Sequence, residues 1–66
     1  MSKVTAQLVI NCKGYALELF RVYGDLVRCV ENSIVHYQIK HDLNEEETNE
    51  LRQRVLDKID PTLEES

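Results

Sequence analysis

Apolar residues recur along most of this chain with alternating steps of four and three. Ala16, Phe20, Tyr23, Val27, Val30, Ile34 and Tyr37 form one such stripe, a spacing that keeps side chains on one face of an α-helix. Tyr15, Leu19, Val22, Leu26 and Cys29 widen it to about half the circumference. Opposite lie Glu18, Arg21, Asp25, Arg28 and Asn32, whose charges alternate in sign at helical pairing distances. The pattern predicts one long helix over 15–41. Gly24 falls on its polar back, where glycine costs about 1 kcal/mol relative to alanine; it is read as a tolerated surface glycine, with a bend or a close backbone approach as the alternative.

The flanks read differently. In Val4–Cys12, Val4, Ala6, Leu8 and Ile10 alternate with Thr5, Gln7, Val9 and Asn11, which suits a half-buried strand. The same segment also fits helical spacing through Val4, Leu8, Cys12 and Tyr15, so extending the helix backwards is the alternative. Gly14 is the natural break, and residues 1–13 are expected to form a short strand or arm. Further on, Asn44 and Glu47 form a capping-box pair, and Glu45, Glu46 and Glu47 place carboxylates at the positive end of a helix. A second helix over 44–60 follows, with Leu51, Val55, Leu56 and Ile59 as its stripe. Pro61 ends it and leaves an acidic tail over 61–66. The expected fold is an all-α helical hairpin forming a single small domain, with a possible N-terminal strand or arm.

Length turns this pattern into a prediction about partners. The first helix, about 27 residues, would span roughly 40 Å, and the second, about 16 residues, roughly 24 Å. Folded back from Asn44, the shorter helix covers the longer only to about Leu26. Tyr15, Ala16, Leu19, Phe20, Val22 and Tyr23, with Leu26 at the edge, are then left as an apolar surface that holds three of the four aromatic residues. A chain of 66 residues gains little stability from its own core. A two-fold homodimer resembling a four-helix bundle is therefore expected, with Leu17, Val35 and Ile39 as a second, smaller surface.

Charge is uneven. Residues 1–41 carry five basic and three acidic side chains, net +2, whereas residues 42–66 carry three basic and nine acidic, net −6. The resulting net charge of −4 disfavours binding to phosphate backbones. Val4–Ile10 is too short for a signal core or a membrane span. With only Cys12 and Cys29, a disulfide scaffold is not expected. A cytoplasmic setting is.

Candidate chemistry is sparse. Cys29 and His36, seven residues apart, would supply two metal ligands, but a zinc site needs three or four, and Cys12 and His41 are the remaining candidates. The same pair as nucleophile and base lacks an orienting group and a cleft. Carboxylates of the Glu45–Glu50 group sit at an exposed helix start with no apolar wall to raise a pKa. Glycine-rich phosphate loops, GxSxG and HExxH are all missing from the sequence. No catalytic, cofactor or metal site is expected.

Three functions fit. The first is a small non-enzymatic regulatory or adaptor protein that binds another protein through a helical homodimer. The second is a ribbon-helix-helix DNA-binding dimer, with Lys3, Thr5 and Gln7 on a paired strand. The third is an acidic inhibitor or decoy that covers a basic surface of a larger protein with Glu45, Glu46, Glu47, Glu50 and Asp57.

Overall fold

In the computed structural model, which describes residues 2–59, the chain forms three helices: α1 (Ala6–Tyr23), α2 (Leu26–His41) and α3 (Glu45–Lys58). Each packs against the other two, and the bundle measures 37 × 19 × 18 Å. The fold is all-α, as the periodicity implied. There is no strand among the described residues.

The first correction lies at the N-terminus. The segment read as a strand or arm is helical from Ala6 onward, so the helical phase of Val4, Leu8 and Cys12 prevails over the alternation. Thr5 starts the helix, its hydroxyl accepting from the Leu8 N–H at 3.1 Å. Only residues 2–5 remain as an arm. Gly14 is not a break; it sits inside α1, and a Cβ there would meet nothing within 4 Å.

The second correction is the break at Gly24. The long helix expected over 15–41 is two helices joined by Gly24 and Asp25. Gly24 adopts φ +77°, the left-handed conformation that ends a helix, and its N–H donates to the Phe20 carbonyl at 2.8 Å. Asp25 then caps α2, accepting from the Arg28 N–H at 3.2 Å. Glycine followed by Asp is a stop signal next to a start signal. Folding back at this point lets α2 cover α1, which a straight helix could not do.

The third helix begins as its sequence implied. Asn44 accepts from the Glu47 N–H at 2.8 Å, and Glu47 accepts from the Asn44 N–H at 3.1 Å. The helix ends at Lys58, with Ile59 extended. The expected boundary at Asp60 and Pro61, and the acidic tail 61–66, lie outside the described residues.

The core runs through all three helices. Leu8, Val9, Cys12 and Ala16 from α1 meet Val30 and Ile34 from α2 and Leu51 and Val55 from α3, with Val4, Leu43 and Ile59 closing the ends. Cys12, Ala16, Cys29 and Ser33 are buried along α1 and α2, and such small side chains permit close helix approach. The Ser33 hydroxyl donates to the Cys12 carbonyl at 2.7 Å, and the Cys12 Sγ lies 3.1 Å from Ser33 Oγ. A buried serine is thereby satisfied across the seam.

Candidate partner-docking surface

The Gly24–Asp25 turn exposes apolar side chains on both sides. Val22, Tyr23 and Val27 are 76%, 71% and 69% accessible. All three belong to the stripe or its margin and were expected on one continuous face. The phase holds only within one helix, however, and the residues flanking the break turn outward. Beside them a groove of about 420 Å³ runs between α1 and α2. Tyr15, Leu19 and Tyr23 form its α1 wall at four-residue steps. Asp25, Arg28, Cys29 and Asn32 form the α2 wall. Among the described residues, α3 contributes nothing to it.

The residues expected at a partner interface therefore divide. Val22 and Tyr23 are exposed, and Leu19, Phe20 and Leu26 are half-buried. Ala16 is fully buried inside the chain's own core, which removes it from any partner surface. Tyr15 occupies the seam, stacked on His36 with ring centroids 4.8 Å apart and an interplanar angle of 6°. It meets Tyr37 edge-on at 6.1 Å, and Tyr37 in turn stacks on His41 at 6.0 Å. This ladder of rings holds α1 against the C-terminal half of α2. Sequence reasoning weighed His36 and His41 only as metal ligands or a base and did not pair them with the aromatic residues, because stacking across two helices has no local signature.

The acidic residues are partly engaged within the chain. Glu47 joins two structures: one carboxylate oxygen completes the α3 capping box and the other accepts from the Lys3 N–H at 2.9 Å. These N–H donors hold its pKa below the usual carboxylate value. Glu50 accepts from the Ser2 hydroxyl at 2.9 Å and lies 3.6 Å from Arg54. Asp57 accepts from Gln53 at 3.2 Å, whereas Glu45 and Glu46 are exposed in the first turn of α3.

The arm gives these contacts a purpose. Lys3 Nζ donates to the Asp42 carbonyl at 3.0 Å, and Arg54 donates to the Val4 carbonyl at 3.0 Å. With Val4 buried, residues 2–5 clasp α3 to the start of α1. Arg52 ties α3 to α2 through a two-point pair with Glu31 at 2.9 and 3.1 Å. As a partly exposed pair it is worth about 0.2–1 kcal/mol.

The residues weighed for chemistry are not brought together. Cys29 is buried while His36 is exposed and stacked on Tyr15. Both cysteines are free thiols, and burial pushes the Cys12 thiol pKa up, against a smaller opposing influence from Ser33. Among the described residues no three His, Cys, Asp or Glu side chains converge, and no helix is long and apolar enough to cross a membrane. No family model, no curated protein and no solved structure matches this chain.

Proposed function

We propose that this chain is a small non-enzymatic regulatory or adaptor protein that acts by protein–protein interaction through a helical homodimer. The observation that carries this reading is the exposed set of Val22, Tyr23 and Val27 around the α1–α2 turn, beside a groove with an aromatic wall. Fully burying side chains of this size is worth about 1.5–3 kcal/mol each, and exposed apolar clusters rimmed by polar groups mark partner surfaces. Pairing two chains through this end leaves each α3 clasped to its own chain. A second protein would then bind the assembled dimer.

The other two readings have less support. A paired DNA-reading ribbon needs a strand where α1 is helical from Ala6. A decoy needs a free acidic face, and Glu47 and Glu50 are occupied by Lys3, Asn44, Ser2 and Arg54.

Sedimentation at micromolar concentration tests the reading. A dimer that dissociates on Tyr23→Asp without loss of helicity is the expected outcome, whereas a wild-type chain that stays monomeric refutes it. Tyr23 serves better here than Phe20, because Phe20 is half-buried and its substitution would disturb α1 as well.

A further inference from the structure

Four charged side chains surround the exposed turn: Glu18 and Arg21 on α1, and Asp25 and Arg28 at the start of α2. Their spacing in the sequence would let neighbours pair along one helix. The break at Gly24 separates Arg21 from Asp25, and none of the four takes part in an ion pair among the described residues. All four are exposed. Two are acidic and two basic, so these four charges cancel on a chain whose net charge is −4.

We infer that this turn docks onto the same turn of a second copy of the chain, with the two-fold axis passing close to Tyr23, so that acidic side chains of each copy face basic ones of the other. The inference rests on the homodimer reading above and assigns it a surface and a charge code. A two-fold contact brings the same patch to both sides, so the patch must complement itself. An evenly mixed rim satisfies that condition, and a single-signed one does not. Two like-charged faces repel, whereas two copies of this rim approach without net repulsion, and charge complementarity sets register and partner choice. A strongly basic or strongly acidic partner would gain little from a rim of mixed sign. The apolar centre formed by Val22, Tyr23 and Val27 supplies the affinity, and the rim supplies the selection.

Segregating the charges is the test. Arg21→Glu with Arg28→Glu makes the rim wholly acidic. Glu18→Lys with Asp25→Ser makes it basic and keeps a capping residue at the start of α2. Each full-length double variant, checked for helicity by circular dichroism, should associate on the order of tenfold or more weakly than wild type. An equimolar mixture of the two should recover dimers containing one chain of each, resolved by native mass spectrometry. If either double variant loses its fold, the single variants Arg21→Glu and Glu18→Lys, both on α1, replace the pair. Wild-type monomers would remove the homodimer reading together with this one. Wild-type dimers whose acidic or basic variants still self-associate at full strength, or whose mixture stays monomeric, would leave the homodimer standing and place its interface elsewhere.

Discussion

Two glycines of this chain have opposite roles, and the difference is set by backbone conformation. Gly24 holds φ +77°, which a side chain reaches only with strain, so Gly24→Ala should lower stability by about 1 kcal/mol or more. Gly14 sits inside α1 with open space where a Cβ would go. Gly14→Ala should raise stability by about 0.5–1 kcal/mol. Thermal unfolding followed by circular dichroism reads both, and shifts of the same sign would contradict the assignment. Glu47 adds a pH dependence. Its folded-state pKa lies below the ordinary value of 4.5, so its contribution is present above that value and is lost as pH falls through the lower, folded one. Wild-type stability should decline in acid below about pH 4.5, and Glu47→Gln should flatten that part of the profile in urea titrations. The residue-level signals at Asn44 and Glu47 were legible because a cap needs only local spacing. The second bond of Glu47, to Lys3, spans 44 positions and has no local signature.

At the level of elements, the arm and the third helix depend on one another. Val4 is buried, its carbonyl accepts from Arg54, and Lys3 and Ser2 bond Glu47 and Glu50. Val4→Ala should cost on the order of 1–3 kcal/mol and speed hydrogen exchange first in α3, whose contacts the arm completes. Uniform acceleration across all three helices would instead mean that the bundle opens as one unit. The helical character of Val4–Cys12 could not be read from alternation alone, since Val4, Leu8 and Cys12 satisfy both periods. Burial against α2 and α3 decides in favour of helix, with Cys12 lying across from Ser33. Leu43 shows the same limit in a loop. It precedes the Asn44 cap, a position whose apolar side chain packs back onto the helix, and the structure buries it in the core.

For the whole molecule, the break at Gly24 changes what needs a partner. A straight helix would have left the entire span from Tyr15 to Tyr23 uncovered. The fold-back encloses Ala16 and seats Tyr15 against His36, which narrows the open part of that span to the turn itself and the groove beside it, while Ile10, Val35, Ile39 and Leu56 are exposed elsewhere. Dissociation by Tyr23→Asp, and the recovery of mixed dimers from charge-segregated variants, are the expected outcomes at this scale.

The sequence by itself determined that most of the chain is helical and where α3 begins. Periodicity and capping are local properties, written within a few residues of one another. Only the tertiary structure decided that Gly24 ends a helix, that residues 6–14 join α1, and which stripe residues turn outward. A glycine on the back of a helix and a glycine at its end look alike until the chain folds back. The free energy that selects between them comes from burying one helix against another, and that is a property of contacts between residues distant in sequence.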